Sequence, residues 1–139
     1  MHKKIQVIIM QIETVPGEVL LLKTNKKRQG FWQNVTGTVE DGEEYIDAAK
    51  RELMEETGLM ANQLIPLSSV LQFKDRFSRD VTEKCYLALF DKKPTNIQIS
   101  HEHEKFLWVK IDMMDKNKYG HASSYATFLE ATSLLKKIC

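Results

Sequence analysis

Residues Gly37 to Leu59 read GTVEDGEEYIDAAKRELMEETGL, and every other part of the chain is interpreted outward from them. Asp41-Gly42 breaks the chain. A helix is expected from about Glu44 to Thr57, ended by Gly58 at the position where a left-handed residue is wanted. An α-helix turns about 100° per residue, so Glu52, Glu55 and Glu56 fall on one side within an arc of roughly 100°. Ile46, Ala49 and Leu53 form a neighbouring apolar stripe able to dock on a sheet. Like charges at this spacing repel by about 0.2–0.5 kcal/mol per pair on an exposed helix. A hard divalent cation reverses the sign of that interaction, because carboxylate oxygens are its preferred ligands and it bridges readily to phosphates. The segment thus points to metal-assisted chemistry on a phosphate substrate. The bland alternative is a solvated acidic face with salt bridges to Lys50 and Arg51.

Around this helix the pattern is mixed. Residues 4 to 13 are rich in isoleucine and valine and read as a strand. Pro16-Gly17 is a turn, and Val19 to Lys23 returns as the second arm of a hairpin. Asn25 to Gly30 is a basic polar loop, and Trp32 to Val39 looks extended. Leu64 to Phe73, Thr82 to Phe90 and Phe106 to Ile111 are further strand candidates, with Asn96 to Ser100 as a short edge strand. Ala122 to Lys137 reads as a helix with Phe128, Leu129, Leu134 and Leu135 available for burial. Strands, helix, strands, helix is the order of an α/β fold with a mixed central sheet and helices on its faces.

The whole sequence bounds the answer. Its 139 residues suffice for one domain over 1–139 with a real core. Net charge is +1, so nothing global drives the chain onto nucleic acid or anionic membrane. Cys85 and Cys139 make no disulfide framework. No stretch approaches the ~20 apolar residues of a membrane span, and the expected location is the cytoplasm.

The spacing carries a specific resemblance. Gly37, Glu43, Arg51, Glu52, Leu53, Glu55, Glu56, Gly58 and Leu59 satisfy a glycine, five residues, a glutamate, seven residues, then Arg-Glu-aliphatic-any-Glu-Glu-any-Gly-aliphatic. This resembles the signature of the Nudix hydrolases. The resemblance implies their α/β/α sandwich with a mixed central sheet, over nearly the whole chain. It also implies a Mg²⁺- or Mn²⁺-dependent pyrophosphohydrolase acting on a nucleoside diphosphate linked to another group. Carried over by position, it makes Glu55 and Glu56 metal ligands, and Glu52 a ligand or the group that orients the attacking water. Arg51 holds the glutamates by a salt bridge, and the Thr36 carbonyl is a further metal ligand. Glu43 braces the loop, and Gly37 permits a sharp turn that brings the Thr36 carbonyl inward.

The segment Phe31-Trp32-Gln33-Asn34-Val35-Thr36-Gly37, with Glu102 and His103 six and five residues before Trp108, resembles the branch that includes dihydroneopterin triphosphate pyrophosphatase. By the same resemblance Glu102 is the distal carboxylate, a metal ligand or general base, with Glu104 the other candidate. Lys23, Lys26, Lys27 and Arg28 are candidates for a triphosphate, and Phe31 and Trp32 for stacking on a pterin or nucleobase; packing in the core is the plain alternative for both aromatics. The expected partner is a small nucleotide-like or pterin triphosphate, handled by a monomer or homodimer. Dihydroneopterin triphosphate or a (deoxy)nucleoside triphosphate comes first, with pyrophosphate and a monophosphate as products. Dinucleoside polyphosphates and the 5′-triphosphate end of RNA follow. A nucleotide-sensing domain without catalysis is the rival reading, and it gives no reason for retaining the full acidic set.

Overall fold

The structure is a computed structural model that describes residues 2–25 and 30–138. The basic candidates Lys26, Lys27 and Arg28 therefore lie outside the described residues. Along the chain come β1 (His2–Gln11), β2 (Glu18–Thr24), β3 (Trp32–Gln33) and β4 (Val35–Thr38). These are followed by α1 (Tyr45–Thr57), β5 (Gln63–Lys74), β6 (Asp80–Phe90), β7 (His103–Lys110) and α2 (Ala122–Ile138). Short 3₁₀ turns at Ile111–Met113 and Lys116–Lys118 lead into α2.

β1 lies at the centre. It runs parallel to β6 over its whole length, from His2↔Val81 to Gln11↔Phe90. On its other edge it changes partner. Lys4 to Val7 pair antiparallel with β4, and Ile9 to Gln11 pair antiparallel with β2. The sheet therefore forks near Ile8. One prong continues β5-β6-β1 into β4, and the other carries β2 with β3 and β7. This fork opens a cleft between β4 and the end of β2.

Both faces of the sheet are covered, which explains why β1 and β6 read as nearly unbroken apolar runs rather than alternating ones. Ile5, Val7, Ile9, Leu20 and Leu22 meet Ala48, Ala49 and Leu53 of α1. Ile8, Met10, Leu21, Leu87 and Leu89 meet Phe128, Ala131 and Leu135 of α2. The two-residue strand period sends each alternate side chain to one helix or the other.

The stop of α1 follows its sequence. Gly58 sits in the left-handed region at φ 74°, and its N–H donates to the Met54 carbonyl. Asn96 to Ser100 is not a strand. Its N–H groups are used elsewhere, from Gln98 to the Thr57 carbonyl at 2.9 Å and from Ser100 to the Glu56 carbonyl at 3.3 Å. An α-helix leaves its last carbonyls without internal partners, so this extended segment closes the helix end instead of a sheet edge. The middle of β5 is irregular between Pro66 and Val70, where Glu130 of α2 accepts from the Ser68 and Ser69 N–H groups. No helix among the described residues is long and apolar enough to cross a membrane.

Candidate active site

Arg51 organises the acidic helix. Its Nε donates to Glu43 Oε2 at 2.9 Å and its Nη2 to Glu43 Oε1 at 3.0 Å, a two-pronged grip on one carboxylate. Nη1 donates to Glu52 Oε1 at 2.9 Å and to Glu55 Oε2 at 3.2 Å. Nη2 also reaches the Thr38 carbonyl at 2.9 Å, tying α1 to β4. The guanidinium holds the Glu43 carboxyl down to about 2, and Glu43 accepts in turn from the Glu40 N–H. One cation thus braces the loop and spaces the carboxylates that follow it.

The glutamates of the helix are not equivalent. Glu55 is largely exposed, whereas Glu56 is buried at 3 % exposure. Burial, with Glu56 alongside, pushes the Glu52 carboxyl up to about 7. Two neighbouring carboxylates out of water do not both stay ionised unless a positive charge joins them.

His103, at the start of β7, shares a 2.5 Å hydrogen bond between its Nε2 and Glu56 Oε1. Glu56, Glu102 and His103 each offer a ligand atom, all within 4.8 Å of one another. Glu102 arrives there because the Asn25 N–H donates to its carbonyl at 3.2 Å, pinning the 101–103 segment to the end of β2. Glu104, the other candidate for the distal carboxylate, instead lies 3.4 Å from Lys23. The tertiary fold therefore brings Glu102 to the helix and gives Glu104 to a lysine.

Gly37 has a different reason from the one its place in the signature suggests. It lies inside β4, paired with Ile5, and its φ is outside the left-handed region. A Cβ there would stand 2.2 Å from Glu52 Cδ. Glycine is present because the Glu52 side chain lies directly on the strand, not because the chain turns sharply. Gly37→Ala is expected to displace Glu52. Overpacking of this kind costs about 1–3 kcal/mol, so the variant should still fold, with a lower melting temperature and at least ~10-fold less turnover. Calorimetry and a product-release assay check the two parts.

The Thr36 carbonyl takes its direction from the β4 register. The Val39 N–H bonds the Lys3 carbonyl, so odd-numbered residues of β4 face β1 and even-numbered ones face away. The Thr36 carbonyl therefore points away from β1, on the side where the Thr38 carbonyl meets Arg51.

The remaining sequence candidates lie further out. Lys23 and Trp32 are register partners, so both sit on the α2 face of the sheet. Trp32 is half-buried against the α2-side core with Lys105 over its ring. Phe31 packs edge-on against His121, with ring centroids 5.0 Å apart, and lies over Gly120. Among the described residues, no hydrogen bond, ion pair or ring contact joins Lys23, Phe31 or Trp32 to Glu52, Glu55, Glu56 or Glu102. His103 is the residue whose contact with Glu56 the sequence did not suggest. Its only signal was its place after Glu102 and before Trp108.

The sequence pattern of the NUDIX domain matches residues 2–131. The chain belongs to the Nudix hydrolase family. A rat bis(5′-nucleosyl)-tetraphosphatase is 29% identical over 107 residues, covering 76% of this chain and 72% of that protein. An octanoyltransferase of Myxococcus xanthus is 34% identical over 99 residues, 67% of this chain, and the Nudix chain spans only 26% of that protein's length. Among solved structures, an Ap4A hydrolase of C. elegans superposes with a TM-score of 0.81 at 22% identity, over 99% of this chain and 100% of that one. The E. coli dihydroneopterin triphosphate pyrophosphohydrolase superposes with a TM-score of 0.80 at 23% identity, over 95% of each chain. The Nudix fold, with its mixed sheet between two helices, is thus shared with both.

Proposed function

We propose that this Nudix hydrolase cleaves a phosphoanhydride bond in a small triphosphate, releasing pyrophosphate and a monophosphate. The observation that carries the reading is the Arg51-braced set Glu52, Glu55 and Glu56, met from across the cleft by Glu102. Glu52 beside a buried Glu56 is a pair that calls for a cation, and the carboxylate oxygens gathered there, with His103 Nε2 engaged by Glu56, suit Mg²⁺ or Mn²⁺. Glu55, Glu56, Glu102 and the Thr36 carbonyl would hold the metal. When bound, it supplies neutralisation of phosphate charge and activation of water.

The chain's own residues do the rest. Glu52 accepts a hydrogen from the attacking water and orients it. Arg51 keeps Glu52 and Glu55 in place and touches no substrate itself. Lys23 stands on the α2 face, 3.4 Å from Glu104, so a phosphate tail would have to cross the fork to meet it. Water attacks a phosphorus, its oxygen bonds there, and the bond to the bridging oxygen breaks. The electron pair leaves on that bridging oxygen.

Dihydroneopterin triphosphate or a (deoxy)nucleoside triphosphate is the first choice of substrate. The segment from Phe31 to Gly37, with Glu102, His103 and Trp108, supports it. The rat relative supports a second reading, a dinucleoside polyphosphate. The test is phosphate and pyrophosphate release from these compounds with Mg²⁺, with Mn²⁺ and after chelation. Turnover is expected only with metal. Hydrolysis that survives chelation overturns the mechanism.

A further inference from the structure

On the face of the sheet away from α1, a chain of buried polar groups crosses the fork. The Tyr119 hydroxyl donates to Asn34 Oδ1 at 2.9 Å. The Asn34 amide donates to Gln6 Oε1 at 2.8 Å. The Gln6 amide donates to Glu83 Oε2 at 3.0 Å. All four side chains belong to residues at most 6 % exposed. The direction of this relay is set by its Glu83 end, because an ionised carboxylate can only accept, and the Tyr119 hydroxyl at the other end can then donate. Each amide spends its oxygen on the group behind it and its N–H on the group ahead. Glu83 closes the line with acceptor capacity left over.

A carboxylate offers about four lone-pair sites. Among the described residues, the side chain of Glu83 accepts one hydrogen bond, that from Gln6. Lys4 is its register partner and, with His121, attracts it by charge, yet no ion pair joins Glu83 to either among the described residues. Burial raises the Glu83 carboxyl above the ordinary carboxylate range against the pull of Gln6, Lys4 and His121, so further donors reaching it would favour its ionised form. The core packing does not call for a carboxylate there, since an apolar residue would join Cys85 and Leu87 on the same face.

The position is informative. Lys4 pairs with Thr38 of β4 on one edge of β1 and with Glu83 of β6 on the other, so Glu83 lies across β1 from β4, on the face of the sheet it shares with Gln6. The ring pair Phe31 and His121 lies next to the same relay, through Gly120 and Tyr119. A triphosphate wrapped round β4 would put its phosphates on the α1 side and its ring on this one.

We propose that Glu83 is the residue that selects the substrate's ring, by accepting the paired N–H donors of an amino-lactam edge, as in guanine or a pterin. This rests on the hydrolase reading above. The chemistry discriminates sharply. Guanine and pterins place a ring N–H beside an exocyclic amine, two parallel donors that fit a carboxylate. Adenine places a ring acceptor beside its amine, so one carboxylate oxygen faces a lone pair. Uracil offers one N–H between two carbonyls.

The experiment compares wild type with Glu83→Gln, an isosteric change that keeps an acceptor and adds a clashing amide. kcat/KM is measured with Mg²⁺ for dihydroneopterin triphosphate, GTP, ATP and UTP. Binding of GMP and AMP to the metal-free protein is measured by calorimetry. The expected result is a wild-type preference for the amino-lactam compounds in both assays. Glu83→Gln should lose about 10–100-fold on those compounds alone. An equal fall on all four, or wild-type binding that does not favour GMP over AMP, overturns the assignment. Failure to turn over any of the four would sink the triphosphate reading, and the metal-free binding preference would still decide the role of Glu83.

Discussion

Glu56→Gln is expected to lower kcat/KM by about 10²–10³-fold while leaving the fold intact, the scale seen when one preorganised charge-stabilising group is removed. The side chain is buried and keeps its length, and an amide still reaches His103 from the same position. What disappears is one negative charge where a cation is to be held next to Glu102. The melting temperature of the metal-free protein should not fall, since removing one of two crowded carboxylates relieves repulsion. Glu55→Gln should act in the same direction. Glu55 is more exposed, so water can replace more of what that change removes. Product release at saturating Mg²⁺, beside a thermal melt, separates the two effects. Activity within tenfold of wild type for Glu56→Gln would remove it from the ligand set.

The second large effect couples pH, metal and stability. Glu52 ordinarily titrates near 4.5, and in the folded chain burial and Glu56 raise it to about 7. Between those values the folded protein holds a proton that the unfolded chain has released. Stability therefore falls as pH rises through this window, being complete below 4.5 and lost above about 7. The change is on the order of 2 kcal/mol, after allowance for the part of the side chain that water still screens. Each kcal/mol corresponds to roughly 2–6 °C in melting temperature for a chain of this size. Metal-free wild type should melt several degrees lower at pH 8 than at pH 5. Glu52→Gln should show a flatter profile and a higher melting temperature at pH 8, with little turnover. Mg²⁺ at pH 8 should restore wild type and do less for the variant, because a ligand that binds only the folded state stabilises it by mass action. Scanning calorimetry at both pH values, with and without Mg²⁺, decides it; identical profiles for the two proteins would rule out Glu52 as the source.

Much of the architecture was legible because it is written in local patterns. The stop of α1 at Gly58 needs only a residue that tolerates the left-handed region, and glycine states that outright. The hairpin of β1 and β2, the existence of strands β5 and β6, and α2 follow from apolar period and turn residues, although Leu129 of α2, expected to be available for burial, is exposed. Asn96 to Ser100 misled for an instructive reason. Its apolar alternation at Ile97 and Ile99 is real and both side chains pack on the α1-side core, but its N–H groups close a helix instead of a sheet edge. A side-chain pattern reports which face is buried, not where the backbone finds its partners.

The same division runs through the site. The i, i+3, i+4 spacing of Glu52, Glu55 and Glu56, with Arg51 one turn from Glu55, is a property of the helix itself and was determined by sequence alone. Sequence also determined the family, because its signature packs many constraints into one helix and its flanks. Only the tertiary structure decided that Glu102 and His103 join Glu56 while Glu104 goes to Lys23. Only it showed that Gly37 is empty so that Glu52 can lie over it, and that Glu83 ends a buried relay beside the fork. These contacts join residues that are far apart along the chain. Their geometry comes from strand register and sheet forking, and no local run of residues encodes either.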